Sequence, residues 1–133
     1  MKRLLIPIAT LLLPVPAAAQ APRVPVPLLA HDGVGACSGA TVIGLEGTDG
    51  FLAVRAGPST RARTLARLRQ DQVVYACVRR GNWFGIVFER APGERRCAHV
   101  LEPQRRTGVY RGPCGSGWVH YNYLGGYADW VSP

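Results

Sequence analysis

Two β-rich runs separated by a glycine turn constrain the fold of this chain more than any other stretch. The first run is Val73–Val78, the second is Trp83–Phe88, and Arg79–Asn82 between them carries the turn signal. β-Branched and aromatic residues favour strands, and glycine lets the backbone reverse. A third run, Gly117–Tyr121, brings a second tryptophan after a long insertion. The pattern predicts a central antiparallel hairpin in a β-rich domain.

Alternation along the second run divides its side chains between two faces. Phe84, Ile86 and Phe88 share one face. Trp83 and Val87 share the other, because successive side chains of a strand point to opposite sides. The first set is the predicted core face, which leaves Trp83 free to line a groove.

The rest of the chain reads as short strands joined by turn-rich segments. Strands are predicted over 40–45, 51–55, 64–69, 107–111 and 118–120, with a 3₁₀ turn over 121–124. Turn residues dominate 46–50, 56–60 and 70–72. Strands this short, with turn signals between them, predict an all-β fold. The expected architecture is a small, partly open β-barrel with a long insertion, residues 89–116, before the last strand.

Residues 1–19 have the three-part pattern of a secretory signal peptide. A positive start at Lys2-Arg3 precedes the apolar run Leu4–Leu13, and small residues follow, with cleavage expected after Ala19. The apolar run is shorter than the roughly 20 residues that span a bilayer. We therefore expect a periplasmic or secreted protein with no transmembrane segment after cleavage.

Four cysteines follow the expected cleavage site: Cys37, Cys77, Cys97 and Cys114. An even number in a small exported domain favours disulfides. The closest two are 17 residues apart, which is unlike the closely paired ligands of a zinc site, so no metal is expected. Three pairings are possible. Cys37–Cys77 with Cys97–Cys114 is preferred because it joins cysteines that are near in sequence.

The basic residues beyond residue 19 are all arginines, and they outnumber the acidic residues by six. Five fall within 15 residues: Arg55, Arg61, Arg63, Arg67 and Arg69. Guanidinium groups bind phosphate and carboxylate well, so an anionic envelope polymer or lipid headgroup is a candidate partner. Nucleic acid is not expected for an exported protein. The alternative is a solvated face that keeps a basic protein soluble.

Four segments, in order, resemble those of bacterial SH3 domains. They are Phe51–Thr60, Arg67–Val73, Arg80–Val87 and Gly117–Leu124. The most specific part is Val54-Arg55-Ala56-Gly57-Pro58-Ser59-Thr60. The resemblance covers residues 40–125 and implies an SH3-like barrel that is exported, non-catalytic and associated with binding cell-wall peptides or other envelope ligands.

The resemblance also implies domain boundaries. The SH3-like domain is expected over residues 37–126, after a proline-rich extended linker at 20–36 and before a tail at 127–133. One departure is that Gln70 or Asp71 stands where the family has a glycine before the central hairpin. The simplest family members lack the long insertion, so the resemblance implies no role for it.

SH3-type barrels bind extended peptides on exposed aromatic side chains between two loops. By this resemblance the predicted groove residues are Trp83 and Tyr123, with Tyr121 and Arg55 beside them. The alternative for Trp83 and for Trp118 is burial at an end of the barrel, and burial is favoured for both, more strongly for Trp118. His120 lies near the position where the wider SH3 fold has a groove proline.

The leading functional hypothesis is a module that binds a cell-wall peptide or another envelope ligand. A second is a protein-interaction, inhibitor or accessory protein that uses the same face. A third is self-association, with Pro22–Pro27 docking in the groove of a neighbouring copy. Catalysis by a papain-like peptidase would need a reduced cysteine beside a histidine base, which paired cysteines do not supply. We expect no enzyme activity and no cofactor.

Overall fold

The computed structural model of the chain describes residues 2–17, 21–47, 49–91 and 96–131. The strands in these ranges are β1 (Pro27–Leu28), β2 (Ser38–Val42), β3 (Leu52–Arg55), β4 (Thr64–Leu68), β5 (Val73–Arg80), β6 (Trp83–Phe88), β7 (Gly108–Val109), β8 (Gly115–His120) and β9 (Leu124–Gly125). Short 3₁₀ helices span Ala98–Leu101, Tyr121–Tyr123 and Asp129–Val131. The expected cleavage site after Ala19, the Pro92-Gly93 part of the insertion and residues 132–133 lie outside the described ranges.

Seven of the strands form one antiparallel sheet in the order β4-β3-β8-β6-β5-β2-β9, and β1 pairs with β7 in a separate two-stranded sheet. The end strands β4 and β9 do not pair with each other in the part of the chain that is described. The barrel is therefore all-β and partly open, as predicted. Each predicted strand is observed, and its bounds differ by at most three residues.

The central hairpin is formed by β5 and β6, as predicted. Arg80 pairs with Trp83 across the turn, where Gly81 has a φ of 57° that favours glycine. On its other side β6 pairs with β8 along its whole length, from Trp83↔His120 to Phe88↔Gly115. Because β6 has a partner on both edges, it lies inside the sheet.

The inner face of the sheet packs into the main hydrophobic core. Phe84, Ile86 and Phe88 of β6 are buried there, as alternation predicted. They pack with buried residues of the neighbouring strands, among them Leu52, Val54, Leu68, Val74 and Val119.

A second hydrophobic core covers the outer face of the central strands. Val87 and Trp118 lie in it, together with side chains from the N-terminal segment and from the insertion. The residues contributed from those two regions include Val26, Leu28, Val100 and Tyr110. The sheet is therefore buried on both faces at its centre, which explains why β6 is apolar along most of its length.

The prediction that residues 20–36 form a linker is wrong. From residue 21 onward the segment packs on the barrel, with a turn at residues 32–33, and the side chain of Val26 is 1% exposed. Val24 N donates to the carbonyl of Ala56 at 2.8 Å, and β1 pairs with β7. The cause is that valine and leucine alternate with the prolines, which gives the segment one apolar face. The Pro22–Pro27 stretch is thus engaged within its own chain.

The insertion is organised by the disulfide Cys97–Cys114, which closes its base. The other disulfide is Cys37–Cys77, so the preferred pairing is the observed one. All four sulfurs belong to the second core. Two disulfides indicate an oxidising compartment.

The prediction that the domain ends at residue 126 is also wrong. Val131 is buried in the main core, and the ring of Tyr127 lies 4.7 Å from that of Phe84. Ala128 N donates to the hydroxyl of Ser38 at 2.9 Å. The described part of the tail therefore packs on the main core through Tyr127, Trp130 and Val131.

Residues 2–17 form no helix or strand, and their leucine and isoleucine side chains are exposed. Among the described residues, no helix has the length and apolar character needed to cross a membrane. Cleavage of residues 1–19 as a signal peptide stays a prediction.

Candidate functional site

An open cleft of about 740 Å³ lies between the β2–β3 loop and the ends of β6 and β8. Its lining consists of residues 44–46 and 50–53 with Arg55, Thr60, Trp83, His120, Asn122 and Tyr123. We call it the aromatic cleft. Its volume falls within the range of ligand-binding sites in proteins.

Trp83 stands at the first position of β6, directly after the hairpin turn. Its backbone pairs with Arg80 on one side and with His120 on the other. The side chain is half-buried, and its ring lies 5.4 Å from the His120 ring in an edge-to-face arrangement. Pairing on both sides holds the indole in place, which suits a binding anchor.

His120 links the two predicted groove aromatics. It ends β8, and its Nδ1 accepts a hydrogen bond from Asn122 N at 3.3 Å. Its ring lies 6.2 Å from that of Tyr123, so Trp83, His120 and Tyr123 form a continuous row of rings. Tyr123 is 37% exposed at the cleft. The row arises because the 3₁₀ helix turns the chain directly after β8.

Arg55 supplies a cation to the aromatic cleft. It ends β3, where its backbone pairs with Trp118 of β8. The guanidinium Nη1 donates to the carbonyl of Ala62 at 3.1 Å, which fixes the side chain and leaves other N–H donors for a ligand. Glu46 brings a carboxylate to the same lining. The cleft therefore offers groups for both an acid and an amine.

Of the four predicted groove residues, Tyr121 is the one that does not line the aromatic cleft. It packs against the main core, and the guanidinium of Arg79 lies 4.6 Å from its ring centre. Trp118 is fully buried, and its Nε1 donates to the carbonyl of Val24 at 2.6 Å. The favoured alternative for Trp118, burial, is therefore confirmed.

Sequence reasoning missed several lining residues. Phe51 is 45% exposed at the cleft, with the Arg67 guanidinium 4.4 Å above its ring. The predicted strand over 51–55 carried a signal, because successive side chains of a strand point to opposite faces and Phe51 therefore points away from Leu52. Thr60 and Asn122 carry no such signal, since neither lies in a strand. The arginine-rich window is not one patch: Arg55 lines the cleft, whereas Arg67 and Arg69 line a different cavity.

All four cysteines are in disulfides. The described residues contain no cluster of His, Cys, Asp and Glu side chains that could hold a metal ion. Comparison with protein-family models, with curated proteins and with solved structures found no match.

Proposed function

We propose that this protein is an exported, non-catalytic binding module with an SH3-like barrel, and that it holds an extended cell-wall peptide or another envelope ligand in the aromatic cleft. The observation that carries the proposal is the row of Trp83, His120 and Tyr123 beside the Arg55 guanidinium. The two disulfides suit a protein that works in an oxidising envelope compartment.

The chemistry of the lining suits such a ligand. The indole of Trp83 and the phenol ring of Tyr123 offer apolar area at a low cost in side-chain entropy. A peptide carboxylate would accept hydrogen bonds from the free donors of Arg55, and a peptide amine would pair with Glu46. Cell-wall peptides carry both groups. The lining of the cleft has enough residues to contact several residues of a ligand at once.

The test is sedimentation of the protein with purified peptidoglycan, comparing wild type with Trp83→Ala. We expect binding to weaken about tenfold or more, because a central aromatic anchor is lost. The free energy of unfolding should fall by less than about 3 kcal/mol, because Trp83 is half-buried and only its covered part packs against the second core. Leu101→Ala is the control, since Leu101 is a large apolar side chain that is 42% exposed and lies outside the cleft.

Two results would count against this proposal. A loss of about 3–5 kcal/mol of stability in Trp83→Ala would identify a core residue instead. Wild-type protein that does not sediment with peptidoglycan would reject the wall ligand and favour the second hypothesis, a protein partner on the same face. Repeating the assay at two salt concentrations tests Arg55, because its ion pair with a ligand should weaken as salt rises.

A further inference from the structure

Strand β4 leaves one edge of the main sheet open. It pairs with β3, from Leu52↔Leu68 to Arg55↔Thr64, and has no second strand partner among the described residues. No backbone hydrogen bond from the β4 residues to another described segment is found outside that ladder. An unpaired edge presents backbone N–H and C=O groups that can pair with another extended chain.

Two cavities, of about 450 Å³ and 370 Å³, lie along this edge. The larger is lined by Arg67, Arg69, Gln72, Val73, Glu89, Arg90 and Ala91. The smaller is lined by Arg23, Leu65, Ala66, Phe88, Arg90, Gly115 and Ser116. We call the space they form beside β4 the open seam. Arg90 lines both cavities, so they belong to one surface.

The open seam is strongly basic. Arg23, Arg67, Arg69 and Arg90 line it, and Glu89 is the one carboxylate among the described residues of its lining. Within the described ranges none of these four guanidinium groups forms a hydrogen bond or ion pair. Arg67 stacks on Phe51, a contact that uses the ring face and leaves its N–H edge available. Four guanidinium groups beside one carboxylate give this surface a positive potential that would attract an anionic partner.

We propose that the open seam binds an extended acidic peptide of a protein partner as an added strand along β4. A peptide uses both features of the seam: its backbone pairs with the free edge and its carboxylates meet the arginines. Arg67 and Arg69 are two residues apart and line the same cavity. In an extended peptide, alternate side chains are spaced by about 7 Å on one side, which matches that arrangement. A polyanion without a peptide backbone would pair with the arginines but would leave the backbone edge of β4 unpaired.

The probe is a synthetic peptide of alternating Glu and Val, titrated against the full chain by fluorescence anisotropy. The double variant Arg67→Gln/Arg69→Gln should bind it about tenfold or more weakly, since charge-assisted hydrogen bonds are lost. Arg105→Gln/Arg106→Gln is the charge-matched control, because both residues are exposed and line neither cavity. That control should weaken binding less than about threefold. Equal unfolding midpoints would show that all variants are folded.

The backbone part is tested with the same peptide carrying N-methyl groups on alternate amides, in both registers. One register should bind poorly, because N-methylation removes the donors that pair with β4. Hydrogen exchange at residues 65–68 should slow when the unmodified peptide binds. The proposal is wrong if both arginine double variants weaken binding equally, if both methylated peptides bind like the parent, or if inorganic polyphosphate binds more tightly than the peptide.

Discussion

At the scale of single residues, Asp71 accounts for the departure from glycine before the central hairpin. Its φ is 67°, in the left-handed region where glycine is favoured. Aspartate is among the few residues that tolerate this conformation. Asp71 N donates to the carbonyl of Val42 at 2.9 Å, which ties the turn to β2. The turn is therefore kept without glycine.

Asp71→Val should destabilise the protein by about 1–2 kcal/mol, because a β-branched side chain is strained at positive φ. Asp71→Gly should stay within about 1 kcal/mol of wild type, since relief of strain offsets the greater entropy of the unfolded chain. Urea unfolding monitored by tryptophan fluorescence measures both. Equal stability of the two variants would contradict the role assigned to this backbone conformation.

The two strand tryptophans, Trp83 and Trp118, differ in burial in a way that alternation does not predict. Both lie on strands that alternation describes correctly, yet Trp118 is fully buried and Trp83 lines a cleft. The two side chains differ in burial because different segments of the chain pack over them. The carbonyl that accepts from Trp118 Nε1 belongs to Val24, 94 positions away in sequence. Local pattern carries no information about a contact of that range.

At the scale of elements, the N-terminal segment and the insertion together cover the outer face of the central strands and complete the second core. β1 pairs with β7, and Val26 and Tyr110, which flank this pair, are buried in the second core. Tyr110 N donates to the carbonyl of Val26 at 2.9 Å, and the Tyr110 hydroxyl accepts from Cys114 N at 3.0 Å. The two segments therefore stabilise each other.

Val26→Ala should lower the free energy of unfolding by about 2–3 kcal/mol, through lost burial and a residual cavity. Val109→Ala is the matched control: Val109 lies on β7 of the same small sheet but is 44% exposed, and we expect a change of about 0.5 kcal/mol or less. Chemical denaturation measures the free energy of unfolding of both variants. Similar small effects would mean that the N-terminal segment is a linker after all.

At the scale of the whole molecule, the two disulfides join parts that the hydrophobic cores also join. Cys37–Cys77 ties the start of β2 to β5 across 40 positions, and Cys97–Cys114 closes the insertion across 17. Both lie in the second core, so the cost of removing their sulfurs from the folded state is similar. The difference between them should come mainly from the entropy of the unfolded chain.

On that basis, replacing Cys37 and Cys77 by alanine should cost about 4 kcal/mol, and replacing Cys97 and Cys114 about 3 kcal/mol. Either loss is a large part of the stability of a domain this size, which is typically about 5–10 kcal/mol. Unfolding of the two double variants in guanidinium chloride shows which of them has lost more stability. The reverse order would show that packing in the insertion outweighs chain entropy.

Local pattern was sufficient for strands β2 to β8, the central hairpin and the core face of β6, because alternation and turn chemistry act over a few residues. Nearness in sequence favoured the disulfide pairing that is observed. The resemblance to bacterial SH3 domains, rather than local pattern, named Trp83, Tyr123 and Arg55, which line one cleft, and Tyr121, which does not. Folding in three dimensions added the second core, the docked N-terminal segment, the packed tail and the open seam beside β4. Those features depend on contacts between distant segments, and periodicity within one segment does not specify which surface will cover it.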